Sequence, residues 1–360
     1  MVKNKRISSI DALRGLTVAA MLLVNNAGDW DHVYPWLEHA EWHGCTPPDF
    51  IFPFFLLIVG VSIQLALGAK ADATSSQVER NALLKSVVWR GIRIFLLGVT
   101  LHLLAAFLMD GRAFRLLGVL QRIGVCFIAA GLLTIHVKQA KAQWLLFVTI
   151  LLGYWGLLQF SGGFAPGINL ADRIDTALLG RLSYSFNPAT GQAHDPEGIL
   201  STLPSLATTI LGLRAGALLR QGKTLSLIML GFILIALGFI WSHWMPLNKQ
   251  LWTSSFVCGT GGTALLIIGV FHYLIDKRGW PAFGTSFGVN AIAAYAGSWI
   301  AVCLLEGFHI MRPLYQRLFS DPLTTRFGAE FSSFAFALAF TCFFGIGMRI
   351  CYGRGWRVVI

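Results

Sequence analysis

Charged side chains are scarce in this chain, at 12% of its 360 residues against 55% hydrophobic residues. A soluble globular domain carries roughly a quarter charged residues, so this deficit excludes an ordinary soluble protein and favours one that crosses a membrane several times. The sequence also lacks a Pro-rich linker, a low-complexity tract and an internal repeat. We therefore predict a single membrane domain over residues 1–360.

The spacings that build metal centres and nucleotide loops are also missing. The 6 Cys residues include no CxxC pair and no Cys/His ligand spacing, so we expect neither a metal site nor a disulfide framework. No GxxxxGK[ST] motif follows a strand, which argues against a phosphate loop. The net charge of +11 is spread over single basic residues beside apolar runs, so we expect no nucleic-acid partner.

Apolar runs about 20 residues long, the length that crosses roughly 30 Å of hydrocarbon, are abundant. They predict an all-α polytopic membrane protein with about ten transmembrane helices. The predicted spans are 10–29, 50–69, 84–108, 117–136, 143–160, 200–220, 224–243, 252–275, 285–305 and 331–351. The basic Met1–Arg6 start is followed by no small-residue cleavage pattern, so we expect a retained first helix and not a signal peptide.

Basic residues are concentrated in the loops on the side of the N-terminus. They include Lys3, Lys5, Arg6, Lys70, Arg80, Lys138, Lys141, Arg220, Lys223, Lys277, Arg278 and Arg357. Because basic loops remain on the cytoplasmic side, we predict that both termini are cytoplasmic. The loops 30–49, 161–199 and 306–330 then lie on the opposite side of the bilayer.

The segment 39–53 holds several groups suited to acid–base chemistry between two apolar runs. An imidazole titrates near a pH of about 6.5, so His39 can accept a proton from an attacking amine and return it to a leaving thiolate. Asp49 can orient that imidazole or the substrate, and we predict that Trp42 also contacts the substrate. The alternatives are an ordinary interfacial histidine for His39 and a helix N-cap for Asp49.

Arginines also occur inside or at the edges of the predicted spans, where a charge is costly. Arg14 follows Asp11 by three residues, so the two lie on one face of the first helix and can pair. With Arg90 and Arg93 of the third span, Arg14 can bind phosphates that arrive from the cytoplasm. The alternative is a set of snorkelling topology anchors.

Four more polar residues are candidates because of where they lie. Asn25 ends the first span, and Arg122 is too deep in the fourth span to be a free anchor. Glu197 closes the long loop before the sixth span, and Asn290 lies within the ninth. We group Arg122 with the cofactor-binding arginines, and Glu197 and Asn290 with the substrate contacts. Helix-to-helix hydrogen bonding for Asn25 and a simple turn for Glu197 are the alternatives.

Seven segments, in order from the first span to the ninth, resemble the heparan-α-glucosaminide N-acetyltransferase family. They are Ser9-Ile-Asp11-Ala-Leu-Arg14-Gly15, Val24-Asn25, residues 39–53, Gly118-Val-Leu-Gln121-Arg122-Ile-Gly124, Asp195-Pro-Glu197-Gly198, Pro246-Leu-Asn248-Lys249-Gln-Leu-Trp252 and Gly288-Val-Asn290-Ala-Ile. The resemblance implies an enzyme that takes acetyl-CoA from the cytoplasmic side and acetylates the amine of a glucosamine-type sugar on the far side. It also implies that His39 is the active-site histidine and Asn25 its neighbouring asparagine.

The residues leave several alternatives open. Segment 10–15 is also similar to the start of the acyltransferase-three family, which typically has a histidine where this chain has Asn25, so O-acylation of a cell-envelope glycan is a second hypothesis. A transporter of a small sugar or lipid precursor is a third, although the paired repeats typical of transporters are missing. His39 can act as a base or as a nucleophile that forms an acetyl-histidine.

The compact chain is typical of a bacterial protein. We therefore predict an integral protein of the cytoplasmic membrane with the His39 loop facing the periplasm. Its partners would be acetyl-CoA, an amino-sugar acceptor and the lipid bilayer, and a homo-oligomer is an open alternative.

Overall fold

The computed structural model describes residues 7–74 and 76–358, and most of this part of the chain is helical. The basic residues Lys3, Lys5 and Arg6, which entered the topology prediction, lie outside the described residues. The α-helices are α1 (Ser8–Val24), α2 (Ile51–Ile63), α3 (Ala69–Ala73), α4 (Gln77–Leu108), α5 (Val119–His136), α6 (Ala140–Phe160), α7 (Leu170–Leu178), α8 (Thr202–Arg220), α9 (Thr224–Trp241), α10 (Ser254–Phe271), α11 (Thr285–Val289), α12 (Ala291–Gly307), α13 (Met311–Tyr315), α14 (Asp321–Phe327) and α15 (Ala329–Gly353).

Short elements extend or connect these helices. The 3-10 turns are Pro35–Leu37, Pro47–Phe50 and Gly180–Leu182, and π-helical turns cover Gln64–Gly68, His272–Lys277 and Gln316–Ser320. Two short strands, β1 (Ser185–Phe186) and β2 (Ala193–His194), form an antiparallel hairpin in which Ser185 is opposite His194. The hairpin and α7 together build a small folded loop between α6 and α8.

Eight helical stretches among the described residues are long and apolar enough to cross a membrane. A ninth arises if Ala291–Gly307 and Met311–Phe327, which meet at a bend of 98°, are taken as one broken span. The predicted all-α polytopic membrane fold is confirmed, whereas the predicted number of about ten spans is not. Helix α1, with 17 residues, is at the lower limit of the length that crosses the hydrocarbon and is not among the eight.

The helices are apolar because a chain in lipid must satisfy its own backbone hydrogen bonds, which a helix does within one segment. The largest buried cluster is formed by apolar side chains of α2, α8 and α10, with contributions from α4, α5 and α6. Leu56, Leu57, Ile210 and Leu211 in this cluster are fully buried. This core holds the central helices in fixed positions, so cavities between them keep their shape.

Helices α1 and α11 approach each other closely because both carry glycine at the contact. A Cβ atom added to Gly15 would lie 1.8 Å from the carbonyl oxygen of Gly284, and one added to Gly288 would lie 1.8 Å from the carbonyl oxygen of Asp11. No side chain fits in this space, so the backbones can pack directly. The contact places Arg14 beside α11, where it becomes part of a cavity.

Candidate active site

The loop that carries His39 is held in place by the buried carboxylate of Asp49. Asp49 is fully buried and lies in the 3-10 turn Pro47–Phe50, whose N-cap is Thr46. Its Oδ2 accepts hydrogen bonds from the Thr46 amide at 2.9 Å, the Thr46 hydroxyl at 2.9 Å and the Ala40 amide at 3.2 Å. These three donors fix one carboxylate oxygen and leave Oδ1 for another partner.

That partner is His39, whose Nδ1 lies 2.6 Å from Asp49 Oδ1. A carboxylate that already accepts three hydrogen bonds accepts a fourth, so the imidazole donates from Nδ1. Nε2 is then the ring nitrogen that can accept a proton. With 40% of its side chain exposed, His39 presents this nitrogen to a ligand. The arrangement is that of an oriented general base.

Lys249 completes the group from a distant segment. Its Nζ lies 3.0 Å from Nδ1 and 3.2 Å from Nε2 of His39, and 3.6 Å from Asp49 Oδ1. Burial lowers the pKa of Lys249, against the opposing effect of Asp49 and Glu197. Sequence analysis did not select Lys249, although it lies in the 246–252 segment that carries the family resemblance.

The segment around Lys249 is rigid for local reasons. Asn248 is fully buried and its side chain accepts the Leu251 amide at 2.8 Å. Its backbone amide donates to the Thr253 hydroxyl at 3.0 Å. The carbonyl of Leu247 accepts the Gly44 amide at 2.8 Å, which ties this segment directly to the His39 loop. The two segments therefore form one unit that keeps Lys249 beside His39.

His39 borders a cavity of about 370 Å³ between the helices, here called the His39 cavity. Its polar lining brings together two sequence-predicted residues with His39, namely Asn25 at the end of α1 and Glu197 from the loop before α8. Lys249 and Arg115 also line it. Apolar residues of α2, α5 and α12 form most of the remaining wall, as in typical small-molecule sites.

Arg115 and two acids form a charged cluster at this cavity. The Arg115 guanidinium donates to Asp195 Oδ1 at 3.0 Å and also to Glu197, which is buried. Burial raises the pKa of Asp195 to about 6 despite Arg115. Burial acts in the same direction on Glu197, but the charge of Arg115 outweighs it and lowers the pKa of Glu197. The cluster thus holds Glu197 as an anion at the cavity wall.

Arg14 and Arg90 line a second cavity, of about 300 Å³, here called the Arg14 cavity. Arg14 is held by hydrogen bonds to the Ser62 hydroxyl at 2.7 Å, the Gly288 carbonyl at 3.1 Å and Asp11 at 3.2 Å. The Arg90 guanidinium lies 5.3 Å from the centre of the Phe127 ring. Its Nε is buried and, among the described residues, has no hydrogen-bond partner. An unpaired guanidinium nitrogen fits an anionic ligand such as phosphate.

The two cavities share part of their walls. The residues common to both linings are Phe55, Leu120, Ile123, Ala291 and Ile292. The Arg14 cavity in turn shares Arg14 and Ser62 with an open recess lined by Arg220 and Lys277. A series of neighbouring spaces therefore runs from basic residues at one end of the bundle to His39 at the other.

Besides Asp49, which orients His39, four predicted site residues do not line either cavity. Arg93 is exposed, and the Trp42 indole donates to the Phe164 carbonyl at 2.8 Å. Arg122 is buried, donates to Ser201 and to the Gly198 carbonyl, and stacks 5.2 Å from the Trp252 ring. Asn290 is treated below, because its contacts involve the C-terminal segment. The polar groups of Arg93, Trp42 and Arg122 therefore lie outside both the His39 cavity and the Arg14 cavity.

Asn290 connects α12 to the C-terminal segment. Its amide donates to the Trp356 carbonyl at 3.2 Å, and its side-chain oxygen accepts the Val358 amide at 3.1 Å. Val358 is itself part of the lining of the Arg14 cavity. Asn290 therefore supports a cavity wall and is not placed to contact the substrate.

No group of three or more His, Cys, Asp and Glu side chains that could hold a metal ion occurs within residues 7–74 and 76–358. The charged and basic groups that line the two cavities are instead one imidazole, one carboxylate and four cations. This set suits an organic substrate with a phosphate-bearing part and an amine or hydroxyl part.

Comparison with known proteins places the chain in a family. A family profile described as heparan-alpha-glucosaminide N-acetyltransferase, catalytic, matches residues 6–225. The chain is 29% identical to human heparan-alpha-glucosaminide N-acetyltransferase over 358 aligned positions, covering 81% of this chain and 52% of the relative. The mouse protein of the same name is 28% identical, with 81% and 53% covered. The chain spans about half the length of these curated relatives. It belongs to the heparan-alpha-glucosaminide N-acetyltransferase family.

Proposed function

We propose that this integral membrane protein is an acetyltransferase that uses acetyl-CoA as co-substrate and acetylates the amine of a glucosamine-type sugar across the bilayer. The observation that carries the proposal is the His39–Asp49 pair, 2.6 Å apart, at the wall of a cavity that adjoins the Arg14 cavity. A base at one end and arginines at the other match a substrate with a reactive thioester and distant phosphates. The family membership supports the reaction class.

The arginines would bind the phosphates of acetyl-CoA. Arg14 is oriented by Ser62 and Gly288, and the buried Nε of Arg90 offers a donor that no described residue uses. Guanidinium groups bind phosphate through paired hydrogen bonds, which explains why two of them are maintained in an otherwise apolar wall. The narrow pantetheine arm would extend past Phe55 and Leu120 toward His39.

His39 would act as the general base for the attack. Its Nε2 accepts a proton from the sugar amine while the amine nitrogen forms a bond to the thioester carbonyl carbon. The carbon–sulfur bond then breaks, and the proton passes from the imidazole to the leaving CoA thiolate. Asn25 and Lys249, which line the same cavity, would donate hydrogen bonds to the oxyanion. Arg122, which the sequence analysis grouped with the cofactor-binding arginines, does not line this cavity and has no part in the step.

A covalent route uses the same geometry. In that route Nε2 of His39 attacks the thioester, and the acetyl group passes from an acetyl-histidine to the amine. Incubation with labelled acetyl-CoA without acceptor separates the two routes. Label that remains on the protein in the wild type and is lost in His39→Gln supports the covalent route, and a ternary-complex kinetic pattern supports direct transfer.

The proposed orientation places the Arg14 end of the bundle in the cytoplasm of a bacterium and His39 toward the periplasm. The support is the distribution of Lys and Arg, since Lys70 in α3, Lys138 and Lys223 between helices, and Lys277 at the end of a π-helical turn are all assigned to the Arg14 end. Labelling of single cysteines, placed at 38 and at 139 in a cysteine-free protein, with a membrane-impermeant reagent tests this. Only the cysteine at 38 should react from the periplasmic side.

The direct test uses the purified protein in liposomes with labelled acetyl-CoA and glucosamine-type acceptors. Removing a positioned base costs about 100- to 10,000-fold in rate, so His39→Ala should transfer at most about 1% as fast as the wild type. Exposed His43 is in the same loop but does not line the cavity, and His43→Ala is the matched control. Binding of CoA should persist in both variants.

Two outcomes would count against the proposal. If His39→Ala transfers acetyl groups at the wild-type rate, His39 is an interfacial side chain without a catalytic role. Absence of transfer by the wild type to any amino sugar, with CoA still bound, would leave an acyltransferase with a different acceptor.

A further inference from the structure

Two strongly exposed aromatic side chains stand at the rim of the His39 cavity. Trp30 is 64% exposed and follows α1, and Tyr184 is 60% exposed and precedes β1. Both line the same cavity as His39, although they come from loops more than a hundred residues apart. What distinguishes these two side chains from other exposed aromatics is that they line a cavity, and small-molecule sites are lined predominantly by hydrophobic and aromatic side chains.

Tyr184 is held in a defined orientation. Its backbone amide donates to Asp195 Oδ2 at 2.9 Å, and the Arg115 guanidinium lies 4.8 Å from the centre of its ring. The guanidinium covers part of the ring, and the rest remains open. A fixed aromatic ring loses little entropy when a flat, weakly polar surface is placed against it.

Gln250, the neighbour of Lys249 on the cavity wall, is oriented by a second histidine–aspartate pair. His194 Nδ1 lies 2.6 Å from Asp172 Oδ1, and His194 Nε2 lies 3.2 Å from the side-chain oxygen of Gln250. Asp172 is buried and also accepts from the Gly167 amide and the Asn169 side chain, each at 2.7 Å. It therefore acts as an acceptor toward His194, which donates from Nδ1.

The second nitrogen of His194 also behaves as a donor. Burial alone would lower the pKa of His194, but the hydrogen bond and charge of Asp172 outweigh it and raise that pKa. Because Nε2 faces the side-chain oxygen of Gln250, which can only accept, His194 donates there as well, and the oxygen of Gln250 is occupied. The amide NH₂ of Gln250 makes no hydrogen bond within the described residues, which leaves it available as a donor at the cavity wall.

We propose that the rim of the His39 cavity is a carbohydrate subsite, in which Trp30 and Tyr184 stack on the C–H face of a pyranose ring while Gln250, oriented by His194 and Asp172, donates to a ring hydroxyl. The C–H bonds of a pyranose carry partial positive charge and match the negative face of an aromatic ring. Glu197 on the same wall is an anion that pairs with an ammonium or hydroxyl group. The subsite rests on the proposed function for the choice of an amino sugar as ligand.

The aromatic belt of a membrane protein offers a contrast. Trp244 is 63% exposed, close to the value for Trp30, and lies just after α9. It borders an apolar recess formed by α6 and α9 and does not line the His39 cavity. Such interfacial tryptophans are common and carry no ligand. Trp244 is therefore the matched control for Trp30.

The test is binding of methyl α-glucosaminide to the full chain in detergent, measured by isothermal titration calorimetry. Trp30→Ala and Tyr184→Ala should each raise the dissociation constant about fivefold, because loss of an aromatic stack is worth about 1 kcal/mol. Tyr184→Phe and Trp244→Ala should bind as the wild type does. Gln250→Ala should also weaken binding, by about fivefold, because the donor is lost without a change of charge.

The outcomes separate this inference from the proposed reaction. Failure of the wild type to bind the glucosaminide, or equal binding by all the variants, would overturn the subsite. Acetyl transfer is measured separately, as release of CoA. If transfer occurs and the aromatic variants leave the KM for the acceptor unchanged, the subsite is rejected and the proposed reaction is retained. Binding that depends on Trp30 without any transfer would retain the subsite and reject the reaction.

Discussion

At the His39 cavity the charged groups are paired with one another. At the Arg14 cavity one guanidinium nitrogen has no hydrogen-bond partner among the described residues and is available to a ligand. His39, Asp49 and Lys249 lie within 3.6 Å of one another in sequence-distant segments. The Nε of Arg90, by contrast, is buried without a hydrogen-bond partner among the described residues. We infer that the first cavity is preorganised for chemistry and the second is completed by its ligand.

The strongest way to break this comparison is to disturb the pairing at the His39 cavity through Asp49→Asn. The amide oxygen would face the three donors at Oδ2, so the amide NH₂ would face His39 and force the opposite ring tautomer. Nε2 would then carry a proton and could not act as a base. We expect kcat for acetyl transfer to fall by about 100-fold or more, with CoA affinity unchanged.

The control for Asp49→Asn is Glu41→Gln in the same loop, since Glu41 is exposed. It should transfer at the wild-type rate. Equal kcat for Asp49→Asn and the wild type, in a variant that still folds by its melting temperature, would show that the pair only anchors the loop.

A smaller effect should come from the Arg14 cavity. Arg90→Gln removes the charge that we assign to phosphate binding, and Arg93→Gln removes an exposed neighbour on the same helix. A charge-assisted hydrogen bond contributes about 1.5 kcal/mol or more, so CoA affinity should fall about tenfold for Arg90→Gln and stay unchanged for Arg93→Gln. Equilibrium binding of CoA measures both. An equal loss in the two variants would mean that only net charge matters.

The smallest expected effect is a change in pH dependence at the Arg115 cluster. The pKa of Asp195 is raised by burial from an ordinary value of 3.8 to about 6. Between those values the folded state binds a proton that the unfolded state has lost, so Asp195 makes stability fall as pH rises from about 4 to about 6. Asp195→Asn should remove that fall.

The melting temperature in detergent measures this effect. We expect the difference between the melting temperatures of Asp195→Asn and the wild type to increase by a few degrees from pH 4 to pH 6 in favour of the variant. Glu197 has its pKa lowered and acts in the opposite direction, so the variant must retain it. A constant difference over this range would contradict the assigned protonation of Asp195.

Much of the fold could be predicted because apolar run length is a direct consequence of bilayer thickness. All ten predicted spans contain a helix, and the errors concern α1, which is short, and α12, which ends at a sharp bend. The bend depends on packing between distant helices, which the apolar composition of residues 291–327 does not reveal.

The site was predicted less completely. The sequence indicated His39, Asn25 and Glu197, which line one cavity, because a polar residue near a span carries a cost that suggests a use. Lys249 was overlooked because a loop lysine also serves as a topology signal, and it is 210 residues from His39 in sequence. Trp42 and Arg122 have the expected chemistry, but neither lines the cavity. The Trp42 indole donates to a backbone carbonyl, and one Arg122 nitrogen donates to a carbonyl and to Ser201, while its Nε and Nη1 are buried without a hydrogen-bond partner among the described residues. Only the three-dimensional packing distinguishes these cases.

The contact between Asn290 and the C-terminal segment has a practical meaning for anyone who prepares the protein. Because Val358 forms part of the wall of the Arg14 cavity, deleting residues 356–358 would open that cavity to lipid and detergent. An affinity tag joined directly after this segment would pull on the same wall. A long flexible spacer, or a tag inserted in the exposed loop near Ala189, would leave the proposed CoA site intact during purification.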